Sequence, residues 1–494
     1  MIFRKGKSAL ANPAIIRKMR KSQEKITVSL RIYNTLSGAK EAFSPLKEGE
    51  VSMYVCGVTV YDDCHVGHAR SLVTFDVIVL YLRFLGYRVN FVRNFTDVDD
   101  KIIRRAHEQG ILAQALAEKY IRAFYRDAVA LGLVTPTREP KATEHIGEMI
   151  ALIRRLEDKG IAYRVDGDVF FQADRFPSYG KLSRKKLDEL QAGARVEIDE
   201  RKRHPMDFAL WKRSKEGEPS WESPWGGGRP GWHIECSAMS SKYLGQPFDI
   251  HGGGMDLIFP HHENEIAQSE AASGVPLARV WIHHGFVNID REKMSKSLGN
   301  ILTIQEALAR SDAATLRHYF LSSHYRSPLD FSYEGLEEAG KALERIYETL
   351  ERLEPFSAAQ QPDAAALESF REEMNDDFNT PRAMALMFEE VRALNRMADE
   401  GKTEALGPRL AALKTMGEVL GLLQEKPGAY LKKRRDAVLR SREISAEWID
   451  EMIRRREKSR KERNWKEADL IRGELKQKGI VLEDTPQGTI WKVQ

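Results

Sequence analysis

Cysteine is scarce in this chain, long apolar runs are missing and no segment repeats. Three thiols in 494 residues, Cys56, Cys64 and Cys236, are too few for a disulfide framework. A chain of this length that is 42% hydrophobic buries its cores without covalent staples. A small secreted disulfide scaffold is thereby excluded, and reduced thiols in a cytoplasmic protein are expected. The absence of any stretch near 20 apolar residues leaves no membrane-spanning helix to read. An excess of one charge is lacking too, since 77 Lys and Arg face 73 Asp and Glu for a net +4. Its distribution is uneven, however. Residues 1–25 hold eight basic residues and one acidic, and residues 432–478 hold seventeen basic and ten acidic. A basic C-terminal module on an acidic body suits a polyanion partner, although charge-rich helices are more often plain solvated faces.

Two short motifs carry the chemistry. Residues 51–57 alternate as a strand, Ala69 to Leu85 is apolar at helical spacing before Gly86, and His65-Val66-Gly67-His68 lies between them. Both histidines are thus expected where a strand turns into a helix N-terminus. Free N–H groups and the positive end of the helix dipole favour phosphate there, and Gly67 leaves room for a flat base. Alone, such a motif mostly matches by chance. Much later the chain reads Lys293-Met294-Ser295-Lys296-Ser297, after a predicted strand Trp281–Ile289. From the carboxyl edge of the same sheet, Lys293 and Lys296 can neutralise charge building on a triphosphate. A solvated basic loop is the plain alternative. In order and context the pair resembles the signatures of class I aminoacyl-tRNA synthetases. That resemblance implies a doubly wound α/β catalytic domain of Rossmann type and ATP-driven formation of an aminoacyl-adenylate, followed by transfer to tRNA.

His261 and Glu265 stand four apart on a predicted helix and share a face, which on its own usually means a surface pair rather than a metal site. Three segments, Tyr54–Tyr61, Gly231–Cys236 and Phe259–Glu265, resemble the zinc-site segments of the cysteinyl-tRNA synthetase family, and the likeness runs from about residue 30 to the C-terminus. It implies zinc held by Cys56, Cys236, His261 and Glu265, with His262 the competing neighbour and Cys64 a packing residue. Selectivity is the physical reason for such a metal. Pocket contacts separate cysteine from serine by roughly 10- to 200-fold, short of the ~10⁴ that translation needs. A soft metal takes a thiolate far more readily than an alcohol. A closed structural zinc is the alternative arrangement of four protein ligands. By the same resemblance Thr59 and Trp232 line the amino-acid pocket, although Trp232 also reads as core packing. Gly252, Gly253 and Gly254 bring backbone against adenosine, and Asp256 meets a ribose hydroxyl or the substrate ammonium. Asp97, Asp99 and Asp100 close the next strand, where acidic residues also cap helices.

The remaining segments divide as follows. Residues 1–28 are a basic extension, 29–139 the first catalytic half, 140–227 a connective insertion facing the acceptor end of tRNA, and 228–330 the second catalytic half. Residues 331–428 form a helical bundle and 429–494 an anticodon-binding module. In the last of these, Trp465 and Asp469 match the family's anticodon-reading helix, and an aromatic among cations suits an unstacked base. Three readings of residues 1–28 are open: a presequence, initiation at Met19, or an RNA-contacting tail. The implied whole is a monomeric cytoplasmic ligase for cysteine and tRNA, using ATP with Mg²⁺. A ligase passing cysteine to an amino sugar and a catalytically silent RNA-binding paralogue are the rivals.

Overall fold

Val51, Met53, Tyr54 and Val55 are all buried, which makes β1 (Glu50–Thr59) a central strand covered on both faces. It leads into α1 (Val66–Phe84), which starts three residues earlier than the apolar spacing alone predicts. The chain then adds β2 (Arg88–Thr96) beside β1. After the insertion come α2 (Trp232–Leu244), β3 (Phe248–Gly254), α3 (Glu263–Ser273) and β4 (Ala278–His284). All pairings are parallel and the strand order is β4-β3-β1-β2. The winding therefore reverses between β1 and β3, and the carboxyl ends of those two strands flank the crevice where such sheets bind ligands.

The computed structural model describes residues 29–185, 199–289, 292–293, 301–357, 360–485 and 488–493. Residues 1–28 and Lys296 lie outside the described residues. Two units divide the chain, Met1–Lys341 with Ala359–Leu422, and Ala342–Ala358 with Leu423–Gln494. In the first, residues 140–227 supply the helix Ile146–Asp158 and the strands Ala162–Val165, Asp168–Phe171 and Phe208–Arg213 of an antiparallel sheet that Gly228–Pro230, from the second catalytic half, completes. Its Met149, Phe171 and Trp211 share one core with Tyr54, Ile234, Ile266 and Trp281 of the catalytic sheet. The helices Ala364–Asn375, Thr380–Asp399 and Leu406–Val419 complete this unit. A buried ion pair ties them in: Arg317 Nη1 and Nη2 reach Asp76 Oδ2 of α1 at 2.6 and 2.5 Å, and Arg317 also meets the Leu420 carbonyl.

One expectation is corrected. Trp281–Ile289 is not a single strand: β4 ends at His284, and Val287–Ile289 opens a separate sheet with Glu292–Lys293 and Leu329–Phe331. The turn between them is set by close packing. A Cβ on Gly285 would lie 2.4 Å from the Ser327 carbonyl oxygen. Arg70, buried on α1, donates to the carbonyls of Phe286 at 2.6 Å and His324 at 3.3 Å. Lys293 thus hangs from a second, smaller sheet, paired with Asn288.

In the second unit α4 (Ala446–Lys461) and α5 (Trp465–Gln477) pack with the hairpin Ile480–Thr485 and Gly488–Val493 around Ile449, Ile471, Leu475 and Ile480. Among the described residues no helix is long and apolar enough to cross a membrane.

Candidate functional site

The thiol of Cys56 is aimed by a bulge. Register along β1 and β2 slips between Val55 and Val58, and a bulge bends a strand and redirects its side chains. Gly57 permits this, because a Cβ there would lie 1.6 Å from the Asn94 carbonyl oxygen, and its own N–H donates to Asn94 Oδ1 at 2.8 Å. Gly231 does the same for α2, since a Cβ on it would stand 2.0 Å from the Ala209 oxygen. That close approach brings Cys236, in the second turn, within 3.7 Å of Cys56 Sγ. His261 is not on the helix with Glu265, as its spacing predicts, but in the π-type turn Ile258–His262 just before it. The two still meet, with His261 Nε2 at 3.0 Å from Glu265 Oε1. Glu265 Oε1 is also 3.4 Å from Cys56 Sγ.

One donor atom from each of Cys56, Cys236, His261 and Glu265 lies within 4.8 Å of the other three. A second quartet, Cys56, His251, His262 and Glu265, meets the same criterion and shares two of its members. Donor chemistry favours the first for zinc, because it offers two thiolates. Its Sγ–Sγ separation of 3.7 Å also fits, since two sulfurs about 2.3 Å from a tetrahedral zinc stand about 3.8 Å apart. His251 and His262 orient the set instead. His251 Nε2 meets Glu265 Oε2 at 2.8 Å, and His262 Nε2 approaches Cys56 Sγ at 3.3 Å. Behind them His262 Nδ1 meets His283 Nε2, and His283 Nδ1 meets Thr35 Oγ1, both at 2.8 Å. His233 Nδ1 lies 3.0 Å from His261 Nδ1. Of these supporting residues only His262 is marked by its motif, as the neighbour of His261; the doublet His283-His284 in a predicted strand is a further sequence signal.

The electrostatics of the four donors follow from burial and contact. Burial opposes ionisation of Cys236, but the hydrogen bond from Cys56 and the proximity of His261 bring it down to about 6. Burial alone is the largest influence on Cys56 and pushes it well up. Against its own burial, His261 is held up to about 10 by the charge of Glu265 and contact with Cys236. Glu265, also buried, is held well below the usual range by His251 and His261.

Around this cluster the other predicted residues fall as follows. The Trp232 ring stacks on His261 with centroids 4.2 Å apart, and Thr59 is the last residue of β1, opposite Thr96. His65 caps α1: its Nδ1 accepts from the His68 N–H at 3.4 Å, His68 Nδ1 accepts from the His65 N–H at 3.2 Å, and the rings stack at 3.7 Å. Gly67 sits between them in the first turn. The glycines of β3 are spoken for by the protein itself. A Cβ on Gly252 would stand 2.3 Å from the Phe75 ring, one on Gly253 2.7 Å from the His262 ring, and one on Gly254 2.4 Å from Asp256 Oδ1. Asp256 itself is exposed. Asp99 caps the helix Asp100–Glu108 through the Lys101 N–H at 2.8 Å. Buried Cys64 is pushed up to about 12 by burial, as an inert packing thiol should be. In the second unit Trp465 is 59% exposed at the start of α5, with exposed Asp469 one turn on.

Comparison with known proteins gives the class first. The family described as tRNA synthetases class I (C) catalytic domain matches residues 42–341, which makes this sheet the catalytic domain of a class I aminoacyl-tRNA synthetase. A methionyl-tRNA synthetase from Mycobacterium tuberculosis, solved with methionyl-adenylate, has the same fold at a TM-score of 0.55 and 18% identity, over 77% of this chain and 93% of that one. A LeuRS–tRNA–LeuAMS complex from Agrobacterium radiobacter agrees at 0.59 and 12%, over 78% and 86%. The DALR domain matches 369–424, and the cysteinyl-tRNA ligase anticodon binding domain matches 441–491. Cysteine–tRNA ligases of Geobacter metallireducens and Geobacter sulfurreducens are 56% and 55% identical over 94% of this chain and their whole length, and that of Thermodesulfovibrio yellowstonii is 51% identical over the same shares. The chain belongs to the cysteine–tRNA ligase family.

Proposed function

We propose that the chain joins L-cysteine to its tRNA in two steps and that Cys56, Cys236, His261 and Glu265 hold a zinc that selects the substrate. One observation carries the reading: these donors converge at the end of β1, beside the switch point, in a chain more than half identical to cysteine–tRNA ligases. Zinc, when bound, supplies a soft Lewis acid that takes a thiolate in preference to an alcohol. His262 and His251 fix Cys56 and Glu265, and the Trp232 ring over His261 closes the pocket to longer side chains.

In the first step the cysteine carboxylate attacks the α-phosphorus of Mg²⁺·ATP and pyrophosphate leaves. His65, Gly67 and His68 at the N-terminus of α1 receive the phosphates. Lys293 and Lys296 neutralise the charge that develops. Gly252 and Gly253 admit the Phe75 and His262 rings against β3, along whose carboxyl end the adenosine lies, and exposed Asp256 meets a ribose hydroxyl or the substrate ammonium. In the second step a terminal ribose hydroxyl of tRNA attacks the adenylate carbonyl and AMP leaves. Trp465 and Asp469 read the anticodon, and the insertion receives the acceptor end. Both halves of the catalytic sheet come from one chain, which suits a monomer, and three free thiols suit the cytoplasm.

The test is ATP-dependent charging of purified tRNA with radiolabelled cysteine, serine and an amino-sugar acceptor in parallel, together with the zinc content of the protein. Cysteinyl-tRNA formation by a protein holding about one zinc is expected. Transfer to the amino sugar instead, or full rejection of serine by metal-free protein, would overturn the reading.

A further inference from the structure

The helix that carries Glu265 has no side-chain cap at its N-cap, His262; the Glu263 N–H is held by the Ile258 and Pro260 carbonyls of the π-type turn before it. A segment of the insertion holds the side chains of that first turn. Leu182 and Ser183 donate their N–H groups to Glu263 Oε2 at 3.1 and 2.8 Å, and Ser183 Oγ donates to the same oxygen at 2.9 Å. Tyr179 Oη donates to Asn264 Oδ1. Glu263 and Asn264, both buried, are the two residues immediately before Glu265.

The far end of the same segment grips the other side of the cluster. Arg184 donates to the Thr35 carbonyl at 2.8 Å, and Thr35 Oγ1 is the group that meets His283 behind His262 and Cys56. Arg184 holds a left-handed backbone at φ +55, where a side chain is strained. Its guanidinium fills the space a Cβ on Gly38 would need, at 2.1 Å. Strain of this kind persists where the surrounding contacts demand it.

We infer that Tyr179–Arg184 is a positioning strap that sets the first turn of α3 and the Thr35 turn, and through them fixes Glu265 and the imidazoles on Cys56. Its side chains touch neither metal nor substrate. Their effect is on how firmly the site keeps its ion and how well it binds cysteine. The inference rests on the metal reading above, and the two are separable by experiment.

The test uses the full-length protein with Tyr179→Phe and Ser183→Ala combined. Ser183→Thr keeps the hydroxyl and serves as the rescuing variant. Lys159→Ala, which removes a contact to the Ala271 carbonyl of α3 made from outside the strap, is the comparison. Zinc release to a chromogenic chelator should be about tenfold faster in the double variant, the lower end of what outer-shell changes do to metal sites. In pyrophosphate exchange the KM for cysteine should rise while the KM for ATP stays. The cobalt-substituted spectrum should broaden, and the Thr and Lys159→Ala variants should behave as wild type. Wild-type zinc retention and cysteine KM in the double variant would overturn the strap. A loss of activity that tracks melting temperature, with ATP and cysteine affected alike, would reduce it to ordinary packing. A wild-type protein that binds no zinc would instead overturn the metal assignment.

Discussion

Removing the metal and adding zinc back at about pH 8 should release about two protons per site, because ligands must bind deprotonated. Glu265 is already ionised, held low by His251 and His261 in spite of its burial. Cys236, although burial opposes it, sits at about 6 through Cys56 and His261 and is a thiolate at that pH. Cys56 is pushed well up by burial and carries its proton. His261, at about 10 because Glu265 and Cys236 outweigh burial, is an imidazolium. Zinc therefore displaces one proton from Cys56 and one from His261. Affinity should rise about 100-fold per pH unit between roughly pH 7 and 9, and a third proton should join below about pH 6 as Cys236 titrates. The sign is fixed by the groups: those protonated in the metal-free site lose their protons to the metal, so alkali tightens binding. Calorimetric titration of chelator-stripped protein in buffers of differing ionisation enthalpy gives the count directly. Binding that releases no protons would refute the charge assignment. Release of only one would mean that Cys56 or the ligating imidazole is already deprotonated, as His262, held neutral by burial and neighbouring His251, would be.

Other outcomes follow from single residues. Trp465→Ala should lower tRNA charging efficiency about 5- to 150-fold, the worth of one stacked base, with tRNA-independent pyrophosphate exchange near wild type; equal loss in both assays would make the residue structural. Lys296→Ala should slow pyrophosphate exchange by about 10²- to 10³-fold without altering zinc content, and an unchanged rate would leave the lysine loop as mere surface. Arg317→Leu strands a carboxylate that is 3% exposed and should cost about 3–5 kcal/mol in urea unfolding, whereas a cost under about 1 kcal/mol would mean that Asp76 finds another partner.

Much of the catalytic sheet was legible because its signals are local. The apolar run of β1, the spacing of α1 and the stop at Gly86 depend on residues a few positions apart, and so does the capping role of Asp99. The break after His284 was not legible, since it depends on Arg70 and the Ser327 carbonyl, both far away in sequence. The start of α3 at Glu263 is not legible either. Periodicity shows His261 and Glu265 on one face, and the π-type turn that runs into α3 preserves that contact. The second quartet of donors went unseen because His251 lies on a strand whose glycines draw attention to the nucleotide, while two of them in fact accommodate Phe75 and His262.

By itself the sequence determined which chemistries the chain could hold: two phosphate motifs in a fixed order, a small set of soft and hard metal donors, and a basic helix with a tryptophan among its cations. Residue type is enough for that, because a thiolate, an imidazole or an ammonium brings its chemistry wherever it is placed. Only the tertiary structure decided which of them meet. Cys56 and Glu265 are 209 residues apart, and no spacing rule connects them. They come within 3.4 Å because a bulge at Gly57 turns one strand and a sheet reverses its winding beside it. Convergence is a property of packing and of long-range hydrogen bonds, and these exist only once the chain has folded.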